Sequence, residues 1–147
     1  MDLHIFNKWN AQKFQPTKPT YAIRIFSSYS DNFDKKPLAA SPLYRRIVEQ
    51  TFDDIWPGSP TVGFRNPTMF TEEMAESIIR DFSAHKDSID ALLVHCSRGI
   101  NRSPAVALAL NEIFNLGYDV GTLKKQYPHA TWFVYETLKE VAGKLSL

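Results

Sequence analysis

The nine residues HCSRGINRS, at positions 95–103, combine side chains whose types and spacing could do chemistry. They include the only cysteine of the chain, Cys96, and an arginine six positions later, Arg102. A thiolate is a strong nucleophile, and a planar guanidinium can hold two oxygens of a phosphoryl group at once. Gly99, between them, gives the backbone the conformational freedom that a tight loop around an anion requires. The pattern predicts a loop that binds an oxyanion beside a nucleophilic sulfur.

The segments on either side predict where this loop lies. Residues 91–96, ALLVHC, form an apolar run of strand length, which favours a strand buried on both faces of a parallel sheet. Residues 103–117 predict a buried helix, with Pro104 at its first turn and Gly117 at its end. The loop therefore leaves the carboxyl end of a strand and enters a helix N-terminus, where backbone N–H groups and the helix dipole attract anions. The same positive environment favours the thiolate of Cys96.

The rest of the chain alternates between strand and helix patterns. In the predicted helix that follows position 70, Thr71 is the N-cap and two glutamates follow it. This helix should end near His85. Further strands are predicted at 3–7, 21–27 and 45–52, and further helices at 7–14, 121–127 and 131–145. This order predicts an α/β fold with a central, mostly parallel sheet flanked by helices on both faces. We expect residues 1–147 to form one domain.

Composition excludes several classes of function. The chain of 147 residues is 44% hydrophobic and 22% charged, with a formal net charge of +1. This balance makes a nucleic-acid partner unlikely, because such proteins cluster many more basic residues. No apolar run approaches the roughly 18 residues of a membrane span, and the N-terminus lacks the pattern of a signal peptide. With a single cysteine as well, we expect a cytoplasmic protein without membrane association.

The loop resembles a known signature. HCSRGINRS is similar to the His-Cys-five residues-Arg-Ser/Thr motif of the cysteine-dependent protein tyrosine phosphatases, and its GxxRS ending resembles the dual-specificity branch. The stretches FDDI, FTEEMAESI and LLVHCSRGINRSPAVALAL resemble compact bacterial and phage members of that superfamily. The resemblance covers about residues 45 to 118. It implies the dual-specificity phosphatase fold.

The resemblance also implies a role for each residue of the motif. Cys96 would be the nucleophile, and Arg102 would bind phosphate and stabilise the transition state. Ser103 would donate a hydrogen bond to the sulfur and ease its departure, while His95 would order the loop from behind. The amides that would bind the substrate oxygens belong to Ser97, Arg98, Gly99, Ile100, Asn101 and Arg102. No metal and no cofactor is implied.

The same superfamily requires a general acid, an aspartate that protonates the leaving oxygen. In the sequence TFDDIWPGSP, Asp54 lies 42 residues before Cys96. The resemblance favours the second aspartate of the FDD sequence, Asp54, over Asp53, and the choice between them stays open. The spacing is longer than usual for the superfamily, which indicates an insertion at 56–67.

These observations favour a phosphatase that acts on phosphotyrosine or dual-specificity protein substrates through a phosphocysteine intermediate and binds phosphate, sulfate or vanadate. The same chemistry on an RNA 5′ phosphate or an inositol phosphate is an alternative. Arsenate reductase or rhodanese-like chemistry is a further alternative, but reductases normally need more thiols. A phosphate-binding module without activity is disfavoured because the cysteine, arginine and acid are all present. The sequence predicts no oligomeric state.

Overall fold

The computed structural model describes residues 1–61, 63 and 65–147. Strands and helices follow one another along this part of the chain in the predicted order, with one additional 3₁₀ turn at Lys86–Ser88. The elements are β1 (Asp2–Asn7), α1 (Lys8–Lys13), β2 (Thr20–Phe26), β3 (Tyr44–Thr51), α2 (Glu72–His85), β4 (Ala91–Cys96), α3 (Arg102–Phe114), α4 (Val120–Gln126) and α5 (Trp132–Lys144). The insertion predicted at 56–67 contains positions 62 and 64, which lie outside the described residues. Within the described residues, no helix has both the length and the apolar character that crossing a bilayer requires.

The sheet has the strand order β1-β4-β2-β3, and all three pairings are parallel. Val94, in the central strand β4, pairs with Ile5 on one side and Ile23 on the other. This arrangement confirms the predicted α/β class. Because the strands are parallel, the loops that follow them all emerge at one edge of the sheet. Residues 97–101, between β4 and α3, form one of these loops, here called the nucleophile loop after its predicted role.

Helices cover both faces of the sheet, as predicted, but unequally. Successive side chains of a strand point to opposite faces, so Leu92, Val94 and Cys96 face one side of the sheet. They belong to the main hydrophobic core, which includes buried residues of α2, α3 and α5. Leu93 faces the other side, in a smaller cluster with Ala11 of α1. The alternation places Cys96 on the face that α3 covers and His95 on the opposite face.

Helix α3 differs from its predicted limits at both ends. It begins at Arg102, so that this side chain projects from the first helical position. It ends at Phe114 rather than near Gly117, because Asn115 adopts the left-handed conformation with φ of 52°. The Asn111 side chain then bonds both the N–H and the carbonyl of Tyr118 and stabilises the chain reversal.

Gly99 packs the nucleophile loop against the end of β1. Its φ is +71°, and a Cβ at this position would lie 2.8 Å from the Asn7 nitrogen and 2.8 Å from the Phe6 carbonyl carbon. The amide of Lys8 also donates a hydrogen bond of 3.4 Å to the carbonyl of Ser97. Only glycine satisfies both the dihedral angle and the close backbone contact. The first strand therefore supports the loop from the side.

We expect Gly99→Ala to lower the free energy of unfolding by about 3 kcal/mol, because backbone strain and overpacking add together. The matched control is Gly117→Ala, where φ is +105° but nothing lies within 4 Å of the added Cβ. That variant should lose only about 1 kcal/mol. Urea unfolding of both variants measures the difference, and equal losses would contradict the proposed backbone clash.

Candidate active site

The Cys96 sulfur is held at the end of β4 by two contacts. The Ser103 hydroxyl lies 3.2 Å from Sγ, and the Gly99 backbone N–H donates to Sγ at 3.3 Å. Ser103 reaches the sulfur because it lies in the first turn of α3, directly above the end of the strand. Cys96 is only 2% exposed, yet it lines an open cleft. The loop thus curls around the sulfur with a backbone donor directed at it.

Arg102 is a buried cation that is fixed by its Nη1 atom. Nη1 donates to the Ser27 hydroxyl at 2.9 Å and to the Phe52 carbonyl at 2.7 Å. Ser27 directly follows β2 and Phe52 directly follows β3, so the guanidinium joins the carboxyl ends of two strands to the start of α3. Within the described residues, Nε and Nη2 have no hydrogen-bond partner. These two nitrogens of the guanidinium therefore remain available to an anion.

A cleft of about 350 Å³, here called the phosphate cleft, lies above the sulfur. Cys96 and Arg102 both line it, as does Asp54 from the loop after β3. The remaining lining residues are Tyr29, Ser97, Arg98 and Asn101. The Gly99 N–H donates to the sulfur, as described above. The Ile100 side chain is exposed and does not line the cleft. The described part of the chain has no group of three or more His, Cys, Asp or Glu side chains placed to hold a metal.

The two adjacent aspartates occupy different environments. Asp53 is fully buried, and its two carboxylate oxygens accept from the backbone amides of Ser28 at 3.0 Å and Thr68 at 2.7 Å. Asp54 is half-buried in the wall of the phosphate cleft and accepts from the Thr131 hydroxyl at 2.6 Å. Asp53 thus joins two loops, whereas Asp54 is the carboxylate on the same cleft as the sulfur.

Thr131 connects Asp54 with the nucleophile loop. Its hydroxyl donates to Asp54, and its backbone N–H donates to the Asn101 carbonyl at 3.0 Å. The Asn101 side chain in turn donates to the His129 carbonyl at 2.7 Å. Sequence reasoning missed Thr131 and Ser27. Each has a single hydroxyl and belongs to no recognisable motif, so the sequence does not indicate which residues these side chains contact. Three separate segments thus form one hydrogen-bonded wall.

His95 lies on the other face of β4, behind the loop, and is fully buried. Arg24 of β2 donates from Nε to the His95 Nε2 at 3.0 Å, and the Phe26 ring meets the imidazole edge-on. Burial first, and then the charge of Arg24, lower the pKa of His95 to about 4, against a smaller opposing effect of the Cys96 backbone. The imidazole is therefore neutral at physiological pH. Arg24 was not predicted, although a charge inside the apolar run YAIRIF was a visible signal.

Comparison with known proteins gives a similarity to solved structures, but not to a family model. No protein-family model and no curated protein matches the chain. The solved crystal structure of Tk-PTP in the active form aligns with a TM-score of 0.46 at 18% sequence identity. The alignment covers 84% of this chain and 78% of Tk-PTP.

Proposed function

We propose that this chain is a phosphatase that hydrolyses phosphate monoesters through a phosphocysteine intermediate. The observation that carries the proposal is that Cys96, Arg102 and Asp54 line one cleft, with the sulfur in contact with the Ser103 hydroxyl and the Gly99 N–H. A nucleophile, a phosphate-binding cation and a carboxyl group are the three elements that such a reaction needs.

In the first step, the phosphate oxygens bind the amides of residues 97–102 and the free donors of Arg102. The Cys96 thiolate attacks phosphorus from the side opposite the ester oxygen, so that the S–P bond forms as the P–O bond breaks. Asp54 gives its proton to the departing oxygen, which then leaves as an alcohol or phenol. The loop amides, the N-terminus of α3 and Arg102 stabilise the charge on the transferring group.

In the second step, water takes the place of the leaving group. The Asp54 carboxylate accepts a proton from this water as its oxygen attacks phosphorus, and the S–P bond breaks to release inorganic phosphate. The sulfur leaves as a thiolate. Its charge is stabilised by the Ser103 hydroxyl and the Gly99 N–H, both of which contact Sγ. The hydrogen bond from Thr131 keeps Asp54 in position for both proton transfers.

A second cavity favours aromatic leaving groups, as in protein phosphotyrosine. This cavity of about 490 Å³, here called the aromatic cavity, shares Asp54 and Asn101 with the phosphate cleft. Trp56 and Trp132 also line it, and both are partly exposed. The ester oxygen must lie at Asp54 to receive its proton, so the organic group extends past Asp54 towards these two indoles. A phenyl ring can stack there, whereas the short side chain of phosphoserine cannot.

We expect Cys96→Ser to abolish turnover of phosphotyrosine peptides while inorganic phosphate still binds, because backbone amides and Arg102 supply most of the anion contacts. Arg102→Ala should weaken phosphate binding and turnover together. Steady-state kinetics and calorimetric titration of phosphate measure the two effects. Turnover by Cys96→Ser close to that of the unmodified protein would contradict the covalent mechanism.

Asp54→Asn should slow hydrolysis of phosphotyrosine by about 10²–10⁴-fold, the usual contribution of a general acid. An activated aryl phosphate should be affected far less, because its leaving group departs without a proton. The matched control is Asp53→Asn, which replaces one of two acceptors by a donor facing a backbone N–H and should cost about 1–3 kcal/mol of stability. It should leave the dependence on leaving group unchanged. If Asp53→Asn alone altered that dependence, the acid would be assigned to the wrong residue.

The double variant Trp56→Leu/Trp132→Leu should lower kcat/KM for a phosphotyrosine peptide by about 10-fold relative to the same peptide with phosphoserine, since an aromatic contact contributes roughly 1.4 kcal/mol. Trp9→Leu is the matched control, because Trp9 is an exposed indole on α1 that lines neither cavity. A double variant with an unchanged preference would show that the aromatic cavity does not hold the leaving group.

A further inference from the structure

Arg24 is a buried charge in the middle of β2. Its side chain is on the sheet face that carries the smaller hydrophobic cluster, opposite the main core. The residue is only 3% exposed. Removing a guanidinium from water is unfavourable unless it is hydrogen-bonded and paired. The partners of Arg24 therefore indicate why a cation lies at this position of an otherwise apolar strand.

The partners are unusual for a buried cation. Nε donates to the His95 Nε2 at 3.0 Å, and Nη2 donates to the Lys36 carbonyl at 2.5 Å. The paired carboxylate, that of Glu49, lies 3.8 Å from Nη1, and its side chain is 57% exposed. The best-buried partner of the guanidinium is therefore an uncharged ring rather than a carboxylate.

This contact determines which nitrogen of His95 carries the proton. An arginine side chain has only donors, so the His95 Nε2 must accept through its lone pair. A neutral imidazole with an acceptor at Nε2 carries its hydrogen on Nδ1. Within the described residues, Nδ1 is buried without a hydrogen-bond partner.

We propose that Arg24 is a positioning residue for the nucleophile loop: its hydrogen bond holds His95 as the neutral tautomer with the proton on Nδ1 and fixes the imidazole that directly precedes Cys96 where β4 becomes the loop. The sulfur and the imidazole belong to adjacent residues, so a shift of the His95 backbone moves Sγ relative to Ser103 and Gly99. The kinetic part of this inference rests on the proposed function. The tautomer does not.

The other charged and titratable groups near the pair do not offer His95 an alternative partner. Glu49 approaches Arg24 rather than the imidazole, and the buried Tyr44 hydroxyl interacts with the charge of Arg24. Lys35 lies over the Phe26 ring, 5.5 Å from its centroid, and Lys36 contributes its carbonyl to Arg24. Burial and the positive charge of Arg24 thus both oppose a second proton on the ring.

The direct test is a ¹⁵N NMR spectrum of the histidine side chains in the full-length protein. We expect His95 to show an unprotonated Nε2, a protonated Nδ1 and no titration between pH 5 and 8. In Arg24→Met the lone pair of Nε2 is freed from its donor and the nearby charge is lost, so the His95 pKa should rise and the ring should titrate within that range. If phosphotyrosine hydrolysis is measurable, kcat/KM should fall on the order of 10-fold and acquire a new acidic limb, as when a supporting hydrogen bond is lost.

Two further variants separate positioning from packing. Arg24→Lys keeps a charged donor and should restore part of the activity and the original tautomer. Glu49→Gln is the matched control, because it alters the exposed partner of Arg24 but not the Nε–Nε2 hydrogen bond, and it should change neither tautomer nor rate.

A proton on Nε2 in the unmodified protein, or an unchanged spectrum in Arg24→Met, would overturn the proposal. If Arg24→Met does not fold, the spectrum of the unmodified protein still decides. The expected tautomer in a protein without phosphatase activity would contradict only the proposed function.

Discussion

The buried guanidinium of Arg102 is the interaction on which the geometry of the candidate site depends. It joins the first position of α3 to Ser27 and to the Phe52 carbonyl, the residues that directly follow β2 and β3. Because β4 leads into the same loop, one side chain connects the carboxyl ends of three parallel strands. A lysine could not do this and still present two donors to an anion, since only the planar fork has donors in fixed and separate directions.

The alternation of side chains along β4 then places the sulfur and the supporting imidazole on opposite faces of the sheet. Cys96 and His95 are neighbours in β4, and alternation directs them to opposite faces of the sheet. The sulfur faces α3 and the phosphate cleft, while the imidazole faces Arg24 in the smaller cluster. The loop between strand and helix therefore has an arginine on each side, one available to an anion and one bound to the imidazole. Each cation is fixed by hydrogen bonds, so under the proposed function neither has to reorganise when a charged substrate binds.

Asp53 and Asp54, in the segment after β3, also contact different surroundings. Both oxygens of Asp53 are occupied by backbone amides from two loops, which fixes the segment after β3. Asp54 then projects into the cleft, where Thr131 holds it against the start of α5. The loop bearing the carboxylate, the nucleophile loop and the N-terminus of α5 are in this way parts of one hydrogen-bonded unit. Asp54 also lines the aromatic cavity, which under the proposed function holds the organic group of the substrate.

Local sequence determined much of this protein. The apolar run 91–96, the glycine loop and the proline-started helix predict strand, loop and helix because each depends on contacts between near neighbours. The alternating order of elements then predicts the parallel α/β class, which the structure confirms. The placement of a cysteine and an arginine on either side of a glycine-bearing loop follows from the same local pattern.

Only the tertiary structure decided which aspartate lies on the phosphate cleft and which residues support the loop. The contacts responsible join positions far apart in sequence: 71 residues between Arg24 and His95, 75 between Ser27 and Arg102, and 77 between Asp54 and Thr131. Such pairs depend on strand order, register and helix packing, which no local pattern specifies. The physical reason is that a single hydroxyl or a buried arginine acquires its role from the atoms that the fold places within about 3 Å of it.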